Sequence, residues 1–462
     1  MSSQPVTQKN TTPEKFLNRI LEEAVQGRAS DIHLEPLVDS LRVRFRIDGS
    51  LQERYRQPLT EVEQLVTRIK AISDLDIASH LPQDGHFEFS VELAGSPAPA
   101  SGKLPDTPAV PGLSEPPSKL ANALTSLFNA HEQQQPDSVP TSWGQEKTED
   151  AVPQAHAMQL SRPAGMYVLN VRVSVFPTVY GEAVVLRLLN RSDMLIPLAQ
   201  LGMAPDDLAI IRDLIFHNYG MVLSTGPSGS GKTTTLYAIL QELKHKEKNI
   251  ITLEDPVEFY FGDVRQTQIR PEQGLTYAIG MRSILRQDPD VLIIGEIRDH
   301  ETAEHAMRAS LVGRIVCSTV HSNSPIGTIA RLVDMDIERS LIAYALNGII
   351  SERLVRRICG SCVTNYAPDP ALVERLGLSG VSHQFRKGAG CDVCSKTGYV
   401  GRTGVYSVLR MDDNLRSLIV ERAPMKTLQE YVAGSGAASL VQRAAEKVLA
   451  GETTVEEAAL VV

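Results

Sequence analysis

The chain lacks what a membrane span needs. No uninterrupted apolar run approaches about 18 residues, and no signal-peptide pattern is read at its start. The expectation is a cytosolic protein that touches membranes only through partners. Cysteine is scarce, at five in 462 residues, and four of the five stand in two Cys-x-x-Cys pairs. In a cytosolic chain that pattern points to metal rather than to a disulfide framework. An excess of positive charge is also missing. Lys plus Arg number 46 against 55 Asp plus Glu, a net charge of −9, which disfavours a broad nucleic-acid-binding face. No track of basic and aromatic residues offers one locally either.

What is present centres on Gly226-Pro227-Ser228-Gly229-Ser230-Gly231-Lys232-Thr233. This fits the phosphate-loop pattern of Gly, four residues, Gly, Lys and Ser or Thr. Met221 to Thr225 reads as a buried strand before it, and Thr234 to Leu243 can continue as a helix after it. A chance glycine turn would not need that context. The loop's backbone amides can face phosphate oxygens, Lys232 can reach the outer phosphates, and Thr233 can hold magnesium.

At 462 residues the chain should hold two to four domains. Residues 1–12 read as a disordered tail, and residues 13–197 as an α+β domain. In that domain Phe16, Ile20, Leu21 and Ala24 share a helical face, and Leu41 to Gly49 signals a hairpin with an Asp-Gly turn. Residues from about 95 to 163 are rich in Pro, Ser, Ala, Gln and Gly. They read as a flexible insertion between two paired strands, with one short helix at Leu120 to His131. Residues 198–352 form the expected nucleotide core, 353–400 a tetracysteine subdomain, and 401–462 a helical subdomain.

After the phosphate loop, three apolar runs end in polar clusters: Glu254 to Glu258, Gly295 to Asp299, and Val320 to Asn323. Continuous apolar strands separated by helices predict a largely parallel sheet covered on both faces, with ligands at the strands' carboxyl ends. The clusters should therefore converge on the nucleotide. Cleaving a γ-phosphate needs a metal clamp, a carboxylate for water, and cations. Glu296 is the expected water-activating carboxylate, with Glu258 and Lys232 completing the catalytic set. Asp255 and Glu258 would assist magnesium through its waters, and His321 would sense the γ-phosphate. Any one such acid could instead be solvated or cap a helix. Arg282 and Arg286 are four apart in an expected helix, and Arg172 and Arg187 lie in strands of the preceding domain, though arginines also serve solubility. Cys359, Cys362, Cys391 and Cys394 suit one structural tetrahedral zinc. Cys317, inside an apolar run, reads as core.

With these boxes in view, the chain resembles the secretion ATPases of the type II secretion and type IV pilus assembly family. Glu254 to Glu258 matches that family's aspartate box, Asp288 to Asp299 its Walker B region, and Ser318 to Asn323 its histidine box. Ala29 to Pro36, Pro82 to Gly85, Arg172 to Ser174, Gly181-Glu182, the cysteine pairs and Gly401 to Gly404 extend the likeness. The resemblance implies an α/β protein: a RecA-like P-loop core, a PAS-like α+β N-terminal domain, and a small zinc-binding and helical C-terminal region. It implies that Arg172, Arg187, Arg282, Arg286 and Arg298 approach nucleotide phosphates. It further implies a homohexamer at the cytoplasmic face of the inner or plasma membrane, using ATP, magnesium and structural zinc. That ring would move a membrane platform protein to extend a filament, with no direct nucleic-acid partner. Ser228 stands where the family more often has Thr, and His86 where it often has Arg. The further N-terminal domain of many members is not expected before Pro13. Retraction ATPase, nucleic-acid translocase and zinc-stabilised scaffold are the alternative readings.

Overall fold

The structure is a computed structural model that describes residues 12–58, 62–92, 166–189, 195–244 and 247–461. The expected insertion and its helix at Leu120 to His131 lie outside the described residues. Of the tail expected at 1–12 only Thr12 is described, and its side chain accepts from the Lys15 amide to cap the first helix, Pro13–Gln26.

Strands β1 (Ala29–Pro36), β2 (Ser40–Ile47), β3 (Ser50–Pro58), β4 (Gln83–Glu92), β5 (Met166–Thr178) and β6 (Gly181–Leu189) form one sheet in the order β3-β2-β1-β6-β5-β4. The Asp48-Gly49 turn joins β2 to β3 with both residues at positive φ (47° and 85°), the two-residue geometry that matches strand twist. Helices Pro13–Gln26 and Val62–Ile72 cover the sheet, burying Phe16, Ile20, Leu21 and Ile69 against Leu34, Phe45 and Val173. β4 and β5, which flank the insertion in sequence, are neighbours in the sheet. A long excursion between paired strands leaves the register of both intact.

The second sheet carries β7 (Gly220–Thr225), β8 (Ile250–Glu254), β9 (Arg265–Gln268), β10 (Val291–Ile294), β11 (Ile315–Val320) and β12 (Leu346–Ile358). After the short pair β13 (Val363–Asn365) and β14 (Arg386–Gly388), β15 (Tyr399–Arg410) returns to it, giving the order β15-β12-β7-β11-β10-β8-β9. Every pairing is parallel except β12 with β15. Alternate residues feed two cores, as the period of two requires. Leu292 and Ile294 join Met221 and Leu223 under helices Tyr277–Ile284, His300–Ser310 and Pro325–Asp334. Val291 and Ile293 join Val222 and helix Lys232–Leu243 on the other face. Cys317 is core, its thiol pushed up to about 12 by burial.

The reading of residues from Arg402 onward as helices needs correction, because Tyr399–Arg410 is the antiparallel edge strand. Val405, Tyr406, Val408 and Leu409 make a buried β-branched and aromatic run there, which the glycines at 401 and 404 disguised as joints. The boundary expected at 352/353 falls inside β12. Within the expected helical subdomain, the helix Leu440–Leu449 is opened by a Ser439–Gln442 capping box. Both sheets belong to one compact unit.

The two-faced core predicts a steep local cost. Leu292, wholly buried, should lose ~2–5 kcal/mol of stability as Leu292→Ala. Val312, 64% exposed, should stay within ~0.5 kcal/mol as Val312→Ala. Denaturant midpoints of the two variants check this.

Candidate active site

β7 is buried along its whole length, and the chain leaves the sheet at Thr225, whose hydroxyl donates to the carbonyls of Val320 (3.0 Å) and Ser322 (3.1 Å). The phosphate-loop strand is thereby tied to the histidine segment. Gly231 caps the following helix at φ 107°, a conformation that strains residues with a Cβ. Gly226 has no room for one, since it would lie 2.4 Å from Ser230 Oγ and 2.6 Å from the Glu352 carbonyl. Lys232 Nζ donates to the carbonyls of Gly226 and Pro227, each at 2.9 Å. Burial holds the Lys232 pKa below its ordinary value.

The loop opens into a cleft of ≈ 540 Å³. Ser228, Gly229, Gly231, Lys232, Thr233 and Thr234 form its floor, facing Asp255, Glu258, Glu296, Arg298, His321 and Arg187. Parallel pairing explains the meeting: β8, β10 and β11 end on the edge where β7 ends. Glu296 is bracketed by Arg298, which makes a short ion pair with it, and by His321 Nε2 at 3.6 Å. Arg298 also lies 3.8 Å from Asp255. Burial and the nearby Lys232 charge push the His321 pKa down, while Glu296 pulls the other way. Glu258 is ion-paired at 2.6 Å with Arg172 of β5. Burial raises its carboxyl pKa, against the pull of Arg172. Arg172 and Arg187 reach this side together, lining a neighbouring cavity with Asp84, Gly85 and Pro256.

Three expected arginines do not line the cleft itself: Arg172, which lines the neighbouring cavity and reaches the cleft only through Glu258, and Arg282 and Arg286. Arg282 pairs with Glu301, and Arg286 lies beyond the end of the helix Tyr277–Ile284, donating to the Arg282 carbonyl at 2.9 Å. Asp299 caps the next helix, accepting from the Thr302 amide at 2.8 Å.

The four paired cysteines gather at the far end of β12. Their sulfurs lie within 4.8 Å of one another, with Cys359–Cys391 and Cys362–Cys394 at 3.8 Å and Cys391–Cys394 at 3.7 Å. Four sulfurs about 2.3 Å from one tetrahedral zinc stand about 3.8 Å apart, whereas a disulfide needs about 2.0 Å. The donor set therefore fits zinc. Burial opposes ionisation of Cys394, but amides donated by Cys391 and Gly398 bring its thiol down to about 6.

With this geometry in place, the comparison with known proteins is direct. The profile of the type II/IV secretion system protein family matches residues 7–97 and 142–460. The chain belongs to this family. The match passes over residues 98–141, inside the expected insertion. Among family relatives, the type II secretion system protein E of Dickeya dadantii (strain 3937) is 36% identical over 444 residues, covering 96% of this chain and 74% of that protein. The type IV pilus assembly ATPase PilB of Myxococcus xanthus (strain DK1622) is 36% identical over 450 residues, covering 96% and 66%. In fold, the chain resembles the X-ray structure of the Legionella pneumophila ATPase DotB, with a TM-score of 0.62 at 18% identity over 99% of both chains. The RecA-like α/β core is the fold of this family member.

Sequence reasoning missed four contributors. Tyr237 and Tyr277 line the cleft, as do Leu354 of β12 and Arg402 of β15. The Tyr237 hydroxyl donates to Glu254 at 2.5 Å and accepts from the amides of Glu258 (3.1 Å) and Phe259 (3.3 Å), so it pins the segment that carries Asp255 and Glu258. Its place five residues beyond Lys232 on a buried helical face carried no signal beyond core packing. Tyr237→Phe strands those partners and should cost ~1–3 kcal/mol, read as a lower urea midpoint. An unchanged midpoint would show that the hydroxyl holds nothing.

Proposed function

We propose that the chain is an ATP-hydrolysing motor that drives assembly of a type IV pilus, a type II secretion pseudopilus or a DNA-uptake filament. One observation carries the reading: a phosphate loop and three strand-end clusters share one cleft, with Arg187 of the N-terminal sheet on its wall and Arg172 paired to Glu258. The names of the family relatives supply the class of system.

In this reading Lys232 exchanges the carbonyls of Gly226 and Pro227 for phosphate oxygens. Arg298, paired with Glu296 in this structure, turns to the phosphates and frees that carboxylate to orient a water and accept its proton. His321, kept neutral by burial and by Lys232, donates to the terminal phosphate. Magnesium, when bound, spreads the charge of the outer phosphates, and Thr233 would hold it, with Asp255 and Glu258 acting through its waters. Arg172 and Arg187 couple phosphate charge to the N-terminal sheet, so cleavage relaxes the hold between the two sheets.

Arg282 and Arg286 stand outside their own cleft and are assigned to a neighbouring subunit's, which calls for an oligomer; the family resemblance makes that oligomer a homohexamer. The ring acts at the cytoplasmic face of the inner or plasma membrane on a platform protein. Among the described residues no helix is long and apolar enough to cross a membrane, and the membrane contact is indirect. One zinc on Cys359, Cys362, Cys391 and Cys394 staples the end of β12. No direct nucleic-acid partner is assigned.

Steady-state phosphate release should fall by at least 100-fold in Lys232→Ala and in Glu296→Gln, the scale of losing a main transition-state contact. Turnover near wild type in both would sink the catalytic assignment. Mixing inactive Lys232→Ala with inactive Arg282→Ala should restore partial turnover, because one subunit then supplies an intact loop and its neighbour an intact arginine. Purified protein should carry one zinc per chain, and Cys394→Ser should lose it together with part of its thermal stability. Metal-free wild type of undiminished stability would count against the staple.

A further inference from the structure

Glu352 of β12 lies directly behind the phosphate loop and is wholly buried. Its Oε2 accepts from the Thr235 hydroxyl at 2.5 Å, while Oε1 has no partner. Oε1 sits 3.8 Å from where a Cβ on Gly231 would stand, and the Glu352 carbonyl closes the space beside Gly226. The charged and titratable groups facing it are Lys232 from the loop helix, Arg353 from its own strand, and Tyr406 from β15; the Ser224 hydroxyl of β7 stands beside it. Burial lifts this carboxyl to about 7, against the pull of Thr235, Lys232, the neighbouring Ser224 hydroxyl and Arg353.

Two changes on the loop act on this carboxylate when a nucleotide arrives. Phosphate charge is placed on the far side of the same loop, and the charge of Lys232, which stabilises the carboxylate, is drawn into pairing with phosphate. Both make a buried anion behind the loop more costly. We propose that Glu352 is a positioning residue of the phosphate loop that takes up a proton from solvent on Oε1 as the triphosphate binds. Ionised, it holds Lys232 back on the carbonyls of its own loop. Protonated, it releases Lys232 to the ligand and keeps Thr235 and the helix start in place through Oε2. This rests on the reading that Gly226 to Thr233 binds the nucleotide.

The sign follows from linkage: binding that takes up protons weakens as pH rises. The test is calorimetric titration of the full chain with magnesium and a slowly hydrolysed ATP analogue, at about pH 7 and about pH 8.5, in buffers of differing protonation enthalpy. His321 has its pKa held below its ordinary value and stays neutral across that window. Wild type should show net proton uptake and an affinity that falls several-fold toward the higher pH, by no more than about tenfold per pH unit for one proton. Glu352→Gln, the isosteric neutral form, should bind with no uptake and equal affinity at both pH values. Thr235→Val strips the hydroxyl that favours the charged form, and should keep the uptake but shift its window to higher pH. Wild-type binding without buffer-dependent heat, or uptake undiminished in Glu352→Gln, would overturn the proposal and leave the loop's role standing. A wild-type chain that binds no nucleotide would overturn both.

Discussion

β7 is hydrogen-bonded in parallel to β11 on one side and β12 on the other, with β10 and β8 extending the same direction. That shared direction is the constraint from which the site follows. Parallel strands end on one edge, so residues from Asp255 to His321, 22 to 88 positions beyond Thr233, come to face the loop without any local signal between them. The apolar alternation that commits the strands to a two-faced core also fixes which residue is first to emerge at that edge. A slip of one residue in β10 would send each of its side chains into the opposite core and carry Glu296 away from the loop.

On this edge the electrostatics are balanced by pairs that nucleotide would rearrange. Lys232 rests on its own loop, Arg298 on Glu296, and Arg172 on Glu258. Each cation is held near the position from which it would meet a phosphate, and each carboxylate is masked until that cation moves. Such exchangeable pairing is a natural basis for a motor, because the same arginines that would answer phosphate charge also connect one sheet to the other. The tetracysteine cluster belongs to a different layer of the design. It lies just past the C-terminal end of β12, a long strand whose middle, at Glu352, passes beside Gly226.

Much of this was legible in the residues. The phosphate loop, its flanking strand and helix, the Asp48-Gly49 turn and the amphipathic first helix all follow from local rules, and local rules need only neighbours in sequence. The convergence of Asp255, Glu258, Glu296 and His321 on one cleft was legible through the parallel-sheet argument. Beyond the four missed cleft residues, three further things were not. β15 was taken for helical joints because Gly401 and Gly404 interrupt its pattern, and only its pairing with β12 resolves the ambiguity. Arg286 was placed on a helix that ends at Ile284. Glu352 was passed over because a glutamate between a serine and an arginine reads as surface, whereas the sheet buries it behind the loop. Tertiary burial of a charge leaves no mark in composition or spacing.

The account stands on acids and a histidine acting together on one triphosphate that Lys232 holds. The most direct measurement is an experimental structure of the protein with magnesium and a non-hydrolysable ATP analogue. The terminal phosphate should lie within hydrogen-bond reach of Lys232 and His321, with a water between it and Glu296 and with Arg298 turned away from that carboxylate. A terminal phosphate bound outside this cleft, or a Glu296–Arg298 pair left intact beside it, would contradict the account.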